Sequence, residues 1–584
     1  MNKLTRKCVA AVASLAMAGT LCVAGAVTMA SVAWGVPKPG PVQAPADNSP
    51  WGKKQDKTGT LTINKFKYAD AVDGEGHHKG EALNGATFTL KKVTKIGGVD
   101  LDYTKFETWS KIAGIVGALN RGDEASANLT FDNSNPTSTV SNNTTTFENL
   151  PEGLYKVVET PPAGYGAADM TEFYITMPLI EPANKTNPYN WNPTINPKNK
   201  DISKTFTKKL DDGKDHNSVL AKDKTLYYTI SASVNRTKSG TLSADDLNGF
   251  AVFDDFPTAA FASPTDASSA VESVKIGDGD SATELTKNTD YNVSIVKASS
   301  EADGKNLEST RNRILVKFTD AGLKKIADKL NGITNGQDPK VNVAIKLDLS
   351  DTYQGGTAPT DTTSTEQNGN NEVVNKSGFF PASPKGTPDA NKPDPIVSGD
   401  DDGGTSKVKY GWFDVFKYDA ADEGKKDKTG LAGAEFRLFN TEEKANACAE
   451  KLVDASKNAD DVTECSAASS TFKSEEATTQ ENTGKLKSAV KVQAGTDIYL
   501  VEVKAPDGYM RLPEVKAVNV EEGKLKIVGF SNTKKSSESK WAWFNLPATG
   551  ATGVIIFALA GMGLIAASVF LYMRNRKEEE QAKA

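Results

Sequence analysis

The chain of 584 residues has only three histidines and four cysteines. So few imidazoles argue against a histidine-dependent hydrolase, and no histidine lies near a cysteine in sequence as a zinc site would need. A glycine-rich phosphate loop is also lacking. Charge is nearly balanced, with 69 Lys+Arg against 75 Asp+Glu, and no basic block appears outside the two termini. We therefore expect no metal, no cofactor and no nucleic-acid partner.

The N-terminus has the pattern of an export signal. Three basic residues precede an apolar stretch, 8–30, which ends at the small-x-small site Ser31-Val32-Ala33. This predicts a signal peptide over 1–33, although the stretch is long enough that an uncleaved anchor is an alternative. Cleavage would leave only Cys448 and Cys465. Two cysteines close together in an exported chain can form one local disulfide.

The C-terminus combines a short motif, an apolar run and a basic tail. Leu546-Pro547-Ala548-Thr549-Gly550 precedes the apolar run 551–573, which is followed by Arg574, Arg576 and Lys577. As a helix the run would be roughly 34 Å long, enough for one bilayer crossing, with the basic tail in the cytoplasm. This order resembles the LPXTG cell-wall sorting signal of Gram-positive surface proteins, which a sortase cleaves between Thr549 and Gly550. A plain single-span membrane protein is the alternative.

Between these signals the sequence predicts an all-β protein. Short β-forming runs alternate with Gly, Asn, Asp and Pro clusters, which is typical of β-sandwiches in series. Examples of such runs are 60–63, 88–90, 227–230 and 341–345. Residues 37–57 have the composition of a flexible leader, and 381–406 that of a linker between domains. Residues 441–459 have helical composition and predict a short insertion.

An internal repeat indicates the domain plan. Leu83–Leu90 recurs as Leu431–Leu438, and each copy is followed downstream by a strand that leads into a Pro–Gly–Tyr turn. Two copies of one module thus flank a middle region without this signature. We predict the following division: signal peptide 1–33, leader 34–58, N-terminal domain 59–199, middle domain 200–405, C-terminal domain 406–535, and a stalk with the sorting signal and apolar helix in 536–584.

The downstream segments, Tyr155–Tyr165 and Ile498–Tyr509, resemble the E-box (YxLxETxAPxGY) of sortase-assembled pilins. The first copy is one residue short after Glu159, and the second has Ile498 where the first Tyr is expected. Pilin domains are similar to the B-type repeats of collagen adhesins. The resemblance implies three tandem Ig-like β-sandwiches, of B type, A-like type and B type.

In the family, a buried acid lies between a lysine and an asparagine on adjacent strands. Burial favours the neutral, nucleophilic amine and the protonated acid, which donates to the asparagine carbonyl. Ammonia then leaves, and a Lys–Asn isopeptide bond ties the first strand to the last. By this resemblance the C-terminal set is Lys417, Glu502 and Asn532. The N-terminal set is Lys65, Glu159 and Asn199, with Lys67 as a competing lysine. The middle set is Lys204, Asp254 and Asn375, with Lys208, Asp255 and Asn391 as alternatives.

The segment Trp191–Lys198 resembles the pilin motif WxxxVxVYPK. Trp191, Pro197 and Lys198 keep the order, while the final hydrophobe-Tyr is reduced to Ile195-Asn196. In the family this lysine attacks the sortase–threonine thioester of the next subunit. An exposed, flexible amine after a proline-fixed strand end would suit that role, so Lys198 is the candidate and Lys200 the alternative.

The resemblance implies a structural protein, the shaft subunit of a covalent fimbria, whose only catalysis is single-turnover self-crosslinking. Its implied partners are a pilin-specific sortase, a housekeeping sortase, further copies of the chain, minor pilins, peptidoglycan and a host glycan or matrix receptor. Its implied location is the cell wall of a Gram-positive bacterium, reached through a membrane-bound precursor. The alternative is a monomeric wall-anchored adhesin or an ancillary tip or base pilin. A glycosidase is disfavoured because the paired acids Asp254 and Asp255 are adjacent on a strand and point to opposite faces.

Overall fold

The computed structural model describes residues 49–535 with internal gaps. The gaps are 52–56, 70–78, 121–123, 168–171, 181–188, 212–219, 222–224, 238–240, 265, 300, 334–337, 352, 354–357, 360–361, 363–370, 388, 390–391, 469, 476–482 and 513. The predicted signal peptide, most of the leader, the alternative residue Asn391, the sorting signal Leu546–Gly550 and the apolar run lie outside the described residues. Within the described part, no helix is both long and apolar enough to cross a membrane.

The described residues form two compact units. One comprises the described parts of 1–216, 223–354 and 373–408, and the other those of 217–222, 355–372 and 409–584. The fold is mostly β, as predicted. The predicted boundary near residue 200 falls inside the first unit, so the division into three domains stays a prediction.

The N-terminal part of the first unit packs strands around a core that includes Phe88, Val157 and Trp191. Its elements are β1 (Gly59–Asn64), β2 (Phe66–Tyr68), β3 (Lys79–Ala82), β4 (Thr87–Ile96), β5 (Val99–Asp100), α1 (Phe106–Leu119), β6 (Leu129–Phe131), β7 (Thr137–Thr139), β8 (Thr144–Leu150), β9 (Gly153–Thr160), β10 (Tyr165–Ala167), β11 (Glu172–Met177), β12 (Leu179–Ile180), β13 (Tyr189–Asn190), β14 (Thr194–Ile195) and β15 (Lys198–Asp201). The sheet orders are β14-β1-β8, β10-β15-β2-β3, β11-β9-β4-β5 with β6 and β7 on β4, and β12-β13.

The first and last strands of this part are neighbours. Strands β1 and β14 pair in parallel, and so do β2 and β15, with Phe66 opposite Lys198. Lys65 separates β1 from β2, and Asn196 and Pro197 separate β14 from β15. The two breaks lie side by side. Proline has no N–H to give to the ladder, which explains the break. The backbone N–H of Phe66 instead donates to the carbonyl of Pro197 at 3.1 Å.

The described residues of the middle part of the first unit form two sheets and one α-helix. Its elements are β16 (Phe206–Leu210), β17 (Thr225–Ser233), β18 (Ala251–Pro257), β19 (Val271–Ile276), β20 (Thr283–Glu284), β21 (Tyr291–Lys297), β22 (Arg311–Phe318), α2 (Asp320–Asn331), β23 (Lys340–Asp348), β24 (Glu372–Phe380) and β25 (Ile396–Val397). One sheet has the order β16-β17-β23-β19-β20, and the other runs β21-β22-β18-β24 with β25 on β24. Alternate residues of β17 and β23 are buried, as expected for strands with one face on the core.

The second unit is built around its own first and last strands. Its elements are β26 (Ser406–Asp419), β27 (Glu435–Phe439), α3 (Glu442–Leu452), α4 (Thr463–Ser466), β28 (Ser470–Glu475), β29 (Lys485–Leu486), β30 (Val490–Gln493), β31 (Ile498–Lys504), β32 (Val515–Val518) and β33 (Leu525–Asn532). The order is β26-β29-β28-β27-β31-β32, with β30 and β33 on β26. Strands β26 and β33 pair in parallel from Trp412 and Leu525 to Asp419 and Asn532.

A helical insertion lies between β27 and β28, where helical composition predicted one. The Thr441 side chain caps α3 by accepting from the backbone N–H of Lys444. Cys448 and Cys465 form a disulfide with a Cα–Cα distance of 4.6 Å, and both are buried in a small core with Leu452. The insertion is therefore closed on itself covalently. Helices α1 and α2 were not predicted from the sequence.

Short 3-10 helices complete the described elements. They are Ala125–Ala127, Asp245–Leu247, Ala267–Ala270, Gly279–Ser281, Ala302–Gly304, Ala420–Asp422 and Ala459–Asp461.

Candidate functional sites

A lysine, an acid and an amide meet in the core of the second unit. Lys417 lies on β26, opposite Phe530 of β33, and Asn532 follows two residues later. The Glu502 carboxyl lies between them: its Oε1 is 3.0 Å from Lys417 Nζ, and its Oε2 accepts from Asn532 Nδ2 at 2.8 Å. The exposed fractions of Lys417, Glu502 and Asn532 are 0 %, 0 % and 2 %. The three residues predicted from the sequence are thus brought together.

Burial changes the protonation of this group. It lowers the pKa of Lys417 and raises the pKa of Glu502, and the attraction between the two only partly opposes these shifts. Removal from water disfavours every charged form, so burial favours the neutral amine and the protonated acid. A neutral amine is the form that can attack a carbonyl carbon.

The orientation of the amide differs from what the resemblance implied. Asn532 Nδ2 donates to the carbonyl of Met510 at 2.5 Å as well as to Glu502, while Oδ1 has no hydrogen-bond partner among the described residues. The backbone N–H of Leu512 donates to Glu502 Oε2 at 3.0 Å. Glu502 therefore spans the attacking amine and the nitrogen that would leave, rather than contacting the amide oxygen.

The middle part contains a similar group, formed around Lys208. The Lys208 ammonium donates to Asp254 Oδ2 and, at 3.1 Å, to the carbonyl of Lys376. Asn375 Nδ2 donates to the same Asp254 oxygen at 3.4 Å. Lys208, Asp254 and Asn375 are all buried.

The choice of Lys204 from the sequence is corrected by this geometry. Lys204 is exposed and lies in the turn before β16, where no strand directs it inwards. In β16 the buried residues are Phe206 and Lys208, which share the inner face. The alternative lysine therefore occupies the site.

Burial lowers the pKa of Lys208 to about 8, and the positive charge of Arg311 acts in the same direction. Burial also raises the pKa of Asp254, against the attraction of Lys208. Arg311 Nη1 donates to the carbonyls of Asp255 and Val374, the residues next to the acid and the amide, at 2.9 Å each. Sequence reasoning missed this arginine, because the contact depends on strand pairing.

Asp255, the alternative acid, is engaged on the opposite face of β18. It forms a buried bidentate ion pair with Arg313, at 2.7 and 2.8 Å. The Arg313 guanidinium also lies 3.7 Å from the ring centroid of Phe253. Asp254 is therefore the carboxyl available to Lys208 and Asn375.

The N-terminal part brings Lys65 and Glu159 together. Lys65 Nζ lies 3.0 and 3.1 Å from the two carboxyl oxygens of Glu159, and both side chains are buried. The competing Lys67 instead pairs with Glu81 at the surface, at 2.9 Å. The residue missing from this E-box therefore does not separate the acid from the lysine.

Asn199 has the position expected of the third member. It is fully buried, and neither polar atom of its side chain has a hydrogen-bond partner within the described part of the chain. In the register of β2 and β15, Lys198 lies opposite Phe66, so Pro197 is level with Lys65. Asn199 therefore lies two residues beyond the position opposite Lys65. The same offset relates Lys417 and Asn532. A buried amide without partners is costly, which is consistent with a group kept for a reaction.

The expectation of an exposed lysine in the pilin-like motif is wrong for Lys198. Only 8 % of Lys198 is exposed, and on β15 it lies opposite Phe66 of β2. Its ammonium makes no hydrogen bond or ion pair with any described residue. Lys200 on the same strand is exposed. Trp191, at the start of the motif, is buried in the core and accepts from the backbone N–H of Thr60 at 2.9 Å.

The part of the chain that the structure describes holds no cluster of three or more His, Cys, Asp or Glu residues able to bind a metal. The carboxyls described above face lysine, arginine and amide groups instead.

Three family models match separate parts of the chain. Residues 44–200 match the Gram-positive pilin subunit D1, N-terminal domain. Residues 417–534 match SpaA, a prealbumin-like fold domain, and residues 544–580 match the LPXTG cell wall anchor motif. The first and second matches contain the N-terminal and C-terminal lysine–acid–amide groups.

Known proteins similar to the chain are fimbrial subunits. Fimbrial subunit type 2 of Actinomyces naeslundii is 26% identical over 580 residues, covering 92% of this chain and 93% of that protein. Fimbrial subunit type 1 of Actinomyces viscosus is 24% identical over 568 residues, covering 91% and 93%. The structure of the full-length major pilin SpaD from Corynebacterium diphtheriae has 19% identity and a TM-score of 0.42, covering 82% of this chain and 98% of that one.

The domain matches and the anchor motif indicate a cell-wall-anchored surface protein with a prealbumin-like β domain. Together with the pilin domain and the fimbrial relatives, they support a subunit of a surface fimbria, of the sortase-assembled Gram-positive pilin class. This class is structural rather than catalytic.

Proposed function

We propose that the chain is the shaft subunit of a covalent fimbria. A pilin-specific sortase joins Thr549 of one subunit to Lys198 of the next, and a housekeeping sortase attaches the finished polymer to peptidoglycan. The observation that carries this proposal is the recurrence of a buried lysine–acid–asparagine group in all three predicted domains. A group that reacts once and is consumed serves a durable structure rather than turnover.

Each group is proposed to form one isopeptide bond. In the C-terminal domain, Lys417 Nζ bonds to the Asn532 side-chain carbonyl carbon while Glu502 protonates Nδ2, and the C–N bond breaks to release ammonia. The proton lost by the amine returns to Glu502, so the acid ends as it began. The contacts of Glu502 with both nitrogen atoms support this double role. Lys208, Asp254 and Asn375 act likewise in the middle domain, and Lys65, Glu159 and Asn199 in the N-terminal domain.

Lys198 is proposed as the lysine that joins subunits, although it is sheltered. Pro197 fixes the strand just before it, and the family match ends at residue 200. An amine with no ionic partner among the described residues has none of those salt bridges to break before it reacts. Its small exposed fraction limits attack to a partner docked over the strand.

Replacing Lys198 by alanine is expected to abolish the covalent polymer. Native fimbriae boiled in SDS should give a ladder of multimers, whereas K198A should give only monomer. Lys200→Ala is the matched control, because Lys200 is on the same strand and is exposed, and it should keep the ladder. A single monomer band from native fimbriae would contradict the shaft proposal and favour a monomeric adhesin or an ancillary pilin. A ladder that survives K198A but not K200A would move the junction to Lys200.

Bond formation in the middle domain is expected to slow as the pH rises above about 8. The reaction needs one proton shared by Lys208 and Asp254, and this pair loses its last proton as the pH passes the lowered pKa of Lys208, about 8. The rate should then fall about tenfold per pH unit. The measurement is refolding of unlinked chain from urea at each pH, with the Lys208–Asn375 peptide counted by mass. A rate that keeps rising to pH 10, as for an ordinary lysine, would contradict the mechanism.

A further inference from the structure

The segment Met510–Leu512, just after the second E-box, contacts both partners of the acid–amide pair in the second unit. The Met510 carbonyl accepts from Asn532 Nδ2 at 2.5 Å, and the backbone N–H of Leu512 donates to Glu502 Oε2 at 3.0 Å. These two main-chain groups fix which way the amide is turned and which oxygen of the acid faces it. Small shifts of the segment would therefore misplace the reacting atoms.

Between these residues, Arg511 binds to a different part of the unit. Its Nη2 donates to the carbonyls of Leu452 and Asp454 at 2.6 and 2.9 Å, and its Nη1 to those of Lys457 and Val503 at 2.9 and 3.2 Å. Three of the four carbonyls belong to the helical insertion: Leu452 is the last residue of α3, and Asp454 and Lys457 lie in the segment after it. Carbonyls at a helix end lack partners within the helix and carry partial negative charge, so a guanidinium is well suited to hold them.

The insertion can serve as a fixed anchor because the disulfide closes it. Cys448 lies on α3, one turn before Leu452, and its bond to Cys465 of α4 ties the end of α3 to the end of the insertion. Both cysteines are fully buried with apolar neighbours. The positions of the insertion carbonyls that accept hydrogen bonds from Arg511 thus depend on the disulfide.

We propose that Arg511 is a positioning residue for the bond between Lys417 and Asn532, with the disulfide-closed insertion as its anchor. The inference rests on the proposed crosslinking. Arg511 donates no hydrogen bond to a reacting atom, and beyond the attraction between its charge and that of Glu502 it acts through the main chain of its two neighbours. The oxidation of the cysteines, by whatever thiol oxidant the exported chain meets, should therefore precede efficient crosslinking. The disulfide-closed insertion is then an assembly step for the isopeptide site rather than a surface decoration.

The test is the rate of crosslinking in the refolding full chain. Unlinked, reduced chain in urea is refolded, and the linked Lys417–Asn532 peptide is counted against time by mass. R511Q and R511K should slow its appearance roughly 10- to 100-fold, because a displacement of about 1 Å costs that much in an oriented reaction. R511K keeps the charge but loses the forked geometry that reaches four carbonyls.

Arg437→Gln is the matched control. Arg437 also holds the insertion, through the carbonyl of Ala459 at 3.0 Å and the carboxylate of Asp460, but among the described residues it makes no hydrogen bond or ion pair with Met510 or Leu512. If the insertion mattered only for general stability, R437Q and R511Q would slow the bond alike. We expect R437Q to crosslink at a rate close to that of the wild type.

The unmutated chain provides a second measurement that needs no variant to fold. Refolding with a reductant present should slow the Lys417–Asn532 bond, while the Lys208–Asn375 bond, which has no disulfide nearby, should form at an unchanged rate. Equal Lys417–Asn532 rates with and without reductant, or a wild-type rate in R511Q, would overturn the positioning role. Absence of the linked peptide from oxidised wild-type chain would instead overturn the crosslinking proposal itself.

Discussion

Replacing Glu502 by alanine is expected to leave Lys417 and Asn532 adjacent but unjoined. The variant should be about 17 Da heavier than a crosslinked chain with the same substitution, because one ammonia is retained. It should also lose roughly 5 kcal/mol of unfolding free energy, by analogy with a disulfide that closes a loop of about 100 residues. A buried lysine whose carboxyl partner is gone adds to this cost. Intact-protein mass and urea unfolding measure the two effects.

Lys417→Met separates these contributions. It also prevents the bond but leaves no buried amine, so it should be less destabilised than E502A. Both variants should become sensitive to trypsin, while polymerisation through Lys198 and Thr549 should continue. The catalytic role of Glu502 is wrong if E502A shows the same ammonia loss and protease resistance as the wild type.

Lys208→Ala is expected to prevent one isopeptide bond, so that the chain releases one ammonia fewer. Lys204→Ala should not change the number of bonds. The buried Lys208 contacts Asp254, while Lys204 lies exposed in a turn. The mass of the unlinked variant should exceed that of the linked one by about 17 Da. The bond between Lys208 and Asn375 closes a loop of more than 100 residues, so its loss should lower the unfolding free energy by about 5 kcal/mol.

The two alanine variants form a matched pair four residues apart. Their masses can be compared directly, since each loses the same atoms from a lysine. If K204A fails to form the bond and K208A still forms it, Lys204 is the reacting lysine and the assignment from the geometry of β16 is wrong.

The C-terminal group could be predicted from the sequence because the motif that identifies its acid is a short, continuous segment of the chain. Glu502 is defined by its distance from Pro506 and Tyr509, and Lys417 and Asn532 by their places near the first and last strands. The amide orientation could not be predicted in this way. It depends on the carbonyl of Met510, which is held by a segment whose own position is set by long-range contacts.

The errors elsewhere arose where strand boundaries or pairing decide. Lys204, in the segment Ile202–Thr205, fits the family pattern. This segment forms a turn, however, and β16 starts only at Phe206. Which lysine faces inwards depends on that starting point, and composition does not set it. The burial of Lys198 likewise involves a residue distant in sequence, Phe66 of β2, which lies opposite it, so it could not be predicted from the local motif.

The positions of the bonds determine which parts of a pulled subunit carry tension. In a polymer joined at Lys198 and Thr549, force would enter at Lys198 and cross from Lys208 to Asn375. It would then cross from Lys417 to Asn532 and leave towards Thr549. The segments 209–374 and 418–531 would then carry no tension. Together they contain about 280 residues, which would extend by roughly 950 Å if they were unfolded and pulled straight. The N-terminal domain precedes Lys198 in the chain and would carry no tension, so a bond between Lys65 and Asn199 would protect its fold against proteases rather than against stretching. Such a fibre would behave as an inextensible tether.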